Sequence, residues 1–512
     1  MGRNNKKKLV LASLVALVFL LLGNRVTAVS AKSYQKAITK VPGRSTYPVY
    51  QRVSKKGPKG KFTSTKHFKY AQIQSKQVLV TKKGTFWKII VDGRPVGWVS
   101  QDYFTRNKIS VAKRVSLVQN ADFTFDTREA INYVADETGT AVDISKVSVS
   151  NPTINSGTPG RTIVTYRYGD AEASVPVTVR SNAKEGIVRA KKGPFLGPVA
   201  VPTWKGSSKS TSRNWNAKHN FTFETKPNTF YANGLTLRTE LFQPRFVSLD
   251  YHQAADKMGQ VGIVPEGIAV HGSNFTVAVF NSSKDQKGHL VSYDLKQIGK
   301  YQAQNLPGLK WKTFEKYAAH IKVSTYIKLG HGQAIGSSAK YLYVIANNNT
   351  AKNSIKSEEI MQIRKSDLKI NQIWSFKIWN GTAKKHTGRY IHNATFVGNK
   401  TMYCLFHNGR KHRYEYWKVT RSGDTWTPVE IGATDSDFIS NSSPVQGFTY
   451  DREHGQFYIG FNDYIFKVAK NGAHRETHRL NVKREIEGLS VSGNKLYVEF
   501  AQRGELTSGR TN

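Results

Sequence analysis

Five polar residues in the last half of the chain stand at the head of similar short segments. They are Glu266, His331, His392, Gln446 and Glu487, which open segments 266–270, 331–335, 392–396, 446–450 and 487–491. Each is followed by Gly or Asn and then by an alternating apolar stretch. Carboxylates, imidazoles and amides donate and accept hydrogen bonds, so a ring of them suits a hydroxyl-rich ligand. Two carboxylates about 5–9.5 Å apart would also suit glycoside hydrolysis, and Glu266 with Glu487 is the candidate pair. His331 and His392 are candidates for metal binding or proton transfer, but two histidines without a short fixed spacing do not define a metal site. No Gly-x-Ser-x-Gly elbow, P-loop, His-Glu-x-x-His or Rossmann glycine run occurs. The expectation is a binding protein with no catalytic residue, metal or cofactor, with Glu266 and Glu487 held as the catalytic alternative.

The spacing of these segments says which elements must position them. A second strand signal follows nine to eleven positions later, at Phe275, Tyr341, Thr401, Phe457 and Leu496. In the first four cases a third follows, over 289–295, 358–365, 413–420 and 463–469. Repeated units of three to four strands indicate a β-propeller, here five-bladed and spanning 186–512. The last repeat shows no third strand signal, so a strand over 229–238 or 245–250 is expected to complete it. With the first strands innermost, Glu266, His331, Gln333, His392, Gln446 and Glu487 come to one mouth of the channel. They serve there either as ligand-binding groups or as caps that join neighbouring blades.

The order of these pieces resembles the helveticin J family, the large heat-labile bacteriocins of lactic acid bacteria. The resemblance rests on His331-Gly-Gln-Ala with 344–348, on 445–451 with 457–459 and 465–468, and on 485–491 with 496–498. It implies a propeller with binding or antibacterial action.

Upstream, the charge divides the chain. The formal net charge is +42. Residues 32–120 hold twenty Lys/Arg against two Asp/Glu, whereas 121–180 hold five against eight. These changes of sign suggest domain boundaries near 120 and 180. Over 45–110, short strand-like pieces alternate with Gly/Lys turns, as in small barrels. Trp87, Gly97-Trp98-Val99 and Tyr103 within it resemble the bacterial SH3-like wall-binding domains, including the Gly-Trp modules. That resemblance implies noncovalent attachment to peptidoglycan or lipoteichoic acid, with Trp87, Trp98 and Tyr103 as the wall-binding candidates. Over 121–181, strands at 142–149, 161–168 and 173–179 are joined by Gly/Pro turns and read as a small β-sandwich. They resemble the Ig-like repeats of bacterial surface proteins, which implies a spacer without chemistry. The fold class is therefore all-β: barrel, sandwich and propeller.

Residues 1–31 combine Arg3 and Lys6–Lys8, an apolar run over 9–22 and small residues before Lys32. That is the layout of a cleaved signal peptide, with no transmembrane span left after its removal. The single cysteine, Cys404, permits no intrachain disulfide and reads as a core thiol. The expected location is extracellular, on a Gram-positive wall, without a covalent sorting signal. The strong positive charge favours a polyanionic partner: teichoic acid, peptidoglycan or another anionic surface polymer. A glycan or surface protein is the further expected ligand of the propeller, and no nucleic-acid-binding motif is present.

Overall fold

Alternating apolar and polar residues broken by Gly turns dictate strands, and the computed structural model is built almost entirely of them. It describes residues 46–68, 73–103, 107–119, 124–136, 141–181, 188–189, 197–205, 227–244, 264–280, 286–346, 358–440 and 444–511, apart from positions 92, 170, 377, 383, 384, 390, 392, 481, 483, 502 and 503. The expected leader over 1–31, the alternative closing strand over 245–250, and His392 lie outside the described residues. Two compact units divide between Thr105 and Arg106. Among the described residues no helix is long and apolar enough to cross a membrane.

The first unit is a five-stranded sheet. Its strands are β1 (Pro48–Ser54), β2 (Gly57–Ser64), β3 (Ile73–Thr81), β4 (Gly84–Val91) and β5 (Arg94–Ser100), in the order β2-β1-β5-β4-β3. A two-residue turn between Val91 and Arg94 joins the last pair, with Gly93 at φ 81°, as the Asp-Gly pair predicts.

The second unit begins earlier than the charge boundary near 120 suggests. Strand β6 (Lys108–Val111) pairs with Ile131–Ala135, and β7 (Arg114–Val118) runs parallel to Ala171–Arg180 of the Ig-like domain. The basic residues here are used inside the unit: Arg114 pairs with Asp424 at 3.0 Å. Segment 142–149 is not one strand. Asp143 accepts a hydrogen bond from the Ser145 amide at 2.9 Å and caps a 3-10 turn over Ile144–Lys146, leaving only Ser148–Val149 extended.

Among the described residues, the rest of this unit includes five antiparallel groups of strands in succession, besides a small sheet of Val188–Arg189, Ile378–Thr382 and Lys385–Arg389 and short helices within 295–318. Sheet 1 contains Val264–His271, Asn274–Phe280, Lys287–Asp294 and Ile321–Val323. Sheet 2 contains Ile335–Ser337, Tyr341–Ala346, Glu358–Arg364 and Ile370–Phe376. Sheet 3 contains Asn393–Val397, Thr401–Asn408, Arg413–Ser422 and Thr425–Thr434. Sheet 4 contains Gly447–Asp451, Gln456–Gly460, Tyr464–Ala469 and His474–Arg479. Sheet 5 contains Ile486–Ser492, Lys495–Phe500 and Glu505–Arg510, to which Leu235–Phe242 and then Thr229–Ala232 are added.

Two features of sheet 5 differ from the sequence reading or refine it. A third strand does exist, at Glu505–Arg510. It escapes notice because it is polar, with Glu505 fully buried against Arg484, Asn228 and Thr239. The added strand from the region's start overlaps the expected 229–238, and its pairing to the final strand runs through Arg238–Phe242.

Hydrogen bonds join the first strands all the way round. Gln333 links to Glu266 at 3.0 Å, and Ser337 bridges Val397. Asn393 donates to the Val445 carbonyl at 2.7 Å, the Val491 amide to Thr449 at 3.1 Å, and the Val270 amide to Ser490 at 2.9 Å. Sheet 1 thus meets sheet 5, so neither is left with an open inner face. Aromatic side chains fill the gaps between sheets, including Trp374, Trp417 and Trp426 between sheets 2 and 3. Cys404 is fully buried in that cluster, and burial pushes its thiol up.

The Ig-like domain is not a detached spacer. The second edge of β7 pairs in parallel with Ile370–Phe376, so the Ig-like sheet continues into sheet 2. Asn132 donates to the Ile370 carbonyl at 3.1 Å and accepts from its amide at 2.6 Å. Lys328 lies 2.9 Å from both Glu129 of the Ig-like domain and Glu359 of sheet 2.

Candidate functional site

Cross-strand register decides which residues of the first unit share a face. One row runs Thr63, Val49, Val99, Trp87 and Val78 from β2 to β3. Val49 and Val99 have no exposed surface and Trp87 retains 3 %, so this row is the core. Tyr103 packs into the same cluster at 5 % exposure. Trp87 and Tyr103, both wall-binding candidates by sequence, therefore fill the interior.

The next row carries different chemistry. It reads Lys61, Tyr50, Trp98, Lys88 and Gln77, again from β2 to β3. Lys61 and Lys88 are exposed, and Tyr50 and Trp98 are half-buried. Two aromatic rings thus lie between two ammonium groups on one face, beside a small cluster of Val53, Leu79 and Phe86. Gly97 is required next to it: a Cβ there would sit 2.7 Å from the Tyr50 carbonyl oxygen and 3.0 Å from the Phe62 ring. The absent side chain lets Phe62, 42 % exposed, lie against the strand beside Trp98. Of the three sequence candidates only Trp98 is on this face. Tyr50, Lys61 and Lys88 were not singled out, because their alignment depends on a bulge between Val49 and Tyr50 that spacing does not show.

In the second unit the inner strands bring four of the six mouth candidates together. Gln333 donates to Glu266 at 3.0 Å and to the Gln446 side-chain oxygen at 2.7 Å, and Gln446 donates to Glu485 at 2.8 Å. Glu487 hydrogen-bonds Glu266 and Glu485. Glu266, Gln333, Gln446 and Glu487 are all buried, with 4–7 % of their surface exposed. Close approach of the strands makes this contact feasible: a Cβ on Gly267 would run into the carbonyl oxygen of Gly332.

Burial raises all three acids, and neighbouring carboxylates add to the rise at Glu266 and Glu487. Glu266 is pushed up to about 8, first by burial and then by the charge of Glu485. Glu487 rises well above the ordinary carboxylate range, by burial and then by Glu266 and Glu485. Glu485 is raised by burial. Buried carboxyls this close to one another favour the protonated form.

His331 does not start a strand. It stands in the turn before Ile335–Ser337, half-buried, and burial lowers its pKa. The buried side chain from that repeat is Gln333. In the third repeat Asn393, 1 % exposed, is the residue that reaches sheet 4, one position beyond the expected His392. Glu485 was also missed, since it precedes the repeat. Among the described residues no group of three His, Cys, Asp or Glu side chains is arranged to hold a metal ion.

Residues 29–105 match the GW (Gly-Tryp) dipeptide domain, and residues 124–179 match the bacterial Ig-like domain (group 3). No curated protein matches the chain in sequence. Among solved structures, the chain is similar to the β-propeller domain of Myceliophteria thermophila Cps50 (Swd1), at 10 % identity and a TM-score of 0.25, covering 47 % of this chain and 64 % of that one. It is also similar to BamB from Moraxella catarrhalis, at 10 % identity and a TM-score of 0.23, covering 49 % and 86 %. Glutaminyl cyclase from Myxococcus xanthus matches at 9 % identity and a TM-score of 0.30, covering 54 % and 95 %.

Proposed function

We propose that this is a secreted surface protein whose GW barrel attaches it noncovalently to an anionic cell-wall polymer, teichoic acid or peptidoglycan. The observation that carries the reading is the row Lys61–Tyr50–Trp98–Lys88 on the face opposite the barrel core. Ammonium groups flanking aromatic rings suit phosphate and sugar units in alternation. The five sheets are read as a five-bladed propeller presented at the wall to a glycan or surface protein. Helveticin J-like antibacterial action is the finer form of this reading. For Glu266, Gln333, Gln446 and Glu487 we propose the role of joining sheets, since they are spent on one another, so no glycan cleavage is assigned to them.

The test is retention on purified cell walls, with and without teichoic acid, across a salt series. The wild-type chain is expected to be retained on intact walls at low salt. It should be lost on teichoic acid removal, at high salt, and in K61Q/K88Q. Retention unchanged by all three treatments sinks the reading. Growth inhibition of related Gram-positive strains by the purified chain tests the antibacterial form, and no inhibition removes it.

A further inference from the structure

A cleft of about 290 Å³ opens between sheets 3 and 4, lined by Val397, Thr401, Tyr403, Lys418, Tyr450 and Arg452. None of these residues belongs to the buried carboxyl–amide cluster. The strand Asn393–Val397 begins at the contact with Val445 and ends in the cleft. Its aromatic wall is packed: the Tyr403 and Tyr450 ring centroids are 4.5 Å apart, and both rest on Phe457, at 5.2 and 5.1 Å. Lys418 is the direct cross-strand partner of Tyr403, so its ammonium stem lies on the same face.

Two features mark this as more than a gap between sheets. Lys418 is half-buried beside the tyrosines and Arg452 is exposed at the cleft's rim, and neither is ion-paired among the described residues. The lining also combines one apolar side chain with three hydroxyls and two cations. We infer that this cleft binds one anionic sugar or polyol unit of a surface polymer, its ring or carbon chain against the tyrosines and its phosphate or carboxylate between Lys418 and Arg452. The volume, near the lower end of the roughly 300–1,000 Å³ of ligand pockets, suits a single such unit. The site shares its class of partner with the barrel reading but none of its residues.

The test is titration calorimetry on the full chain with two probes, a short oligo(glycerol phosphate) and an oligogalacturonate. In the K61Q/K88Q background, which removes the barrel's contribution, one site is expected to remain. Adding K418Q/R452Q should weaken it about tenfold or more. Preference for one probe identifies phosphate or carboxylate as the recognised group. As a measurement that needs no variant, bound probe should shield Lys418 of the wild-type chain from acylation. Absence of binding by K61Q/K88Q, affinity unchanged by K418Q/R452Q, or unshielded Lys418 each overturns the inference. Failure of the barrel reading shows differently, as wild-type binding at a single site that K418Q/R452Q abolishes.

Discussion

Buried acids that depend on one another make this protein sensitive to pH at identifiable residues. Glu266 and Glu487 hold protons in the folded chain that they would release at neutral pH when unfolded. The folded state therefore binds more protons, and stability falls as pH rises from about 4.5 toward 8, by at most about 1.4 kcal/mol per pH unit per site. Below that window both states are protonated and the effect vanishes. Denaturant titrations from pH 4.5 to 8 should show this slope, and E487Q should flatten it. A slope unaltered by E487Q would mean that other groups carry it. Arg484 is the opposite case, a buried cation matched to Glu505. R484M leaves that carboxylate uncompensated and should cost about 3–5 kcal/mol in chemical unfolding. Residue-scale legibility was uneven. Glu266, Gln446 and Glu487 were visible because each precedes Gly at a repeat start. Arg484, Glu485 and Glu505 were not, since nothing local shows that a charged residue will be buried against a partner 21 positions away.

At the scale of elements, the strand β7 decides how the Ig-like domain behaves. It pairs on both edges, with Ala171–Arg180 and with Ile370–Phe376. Lys328 stands between Glu129 and Glu359 at the same junction. K328M removes the cation from two carboxylates, one of them fully buried. The expected loss is about 3–5 kcal/mol, greater at pH 8 than at pH 5 because Glu359 is neutralised more readily in acid. Calorimetry of the second unit should give one transition that K328M shifts as a whole. A separate low-temperature transition for the Ig-like domain would show that the shared sheet does not couple them. Hydrophobic alternation exposed most of the strands, including 160–168, 171–180 and the second strand of every repeat. It did not expose β2 (Gly57–Ser64), whose sequence is largely Gly, Lys and Ser and of which only Gly57 is buried. Pairing of β7 to a strand more than 250 positions later is a tertiary choice, which periodicity does not encode.

For the molecule as a whole, a formal charge of +42 sets the strength of its attraction, and salt sets the reach. Screening shortens from about 10 Å at 0.1 M salt to about 3 Å at 1 M, so wall retention should fall steeply over that interval. Retention that persists at 1 M would point to stacking and hydrogen bonds as the main attachment. The all-β class, the barrel and the repeat order were legible from composition and spacing, whereas the fusion of Ig-like domain and sheet 2 was not. The pairing of Leu235–Phe242 with Glu505–Arg510 also governs timing. Thr239 and Glu505 are 266 positions apart in sequence. A chain emerging N-terminus first must hold one half of this pair in waiting until the other is delivered. Contacts of such separation are slow to form. A chain stopped before Glu505 would leave Leu235–Phe242 without the strand that it clasps.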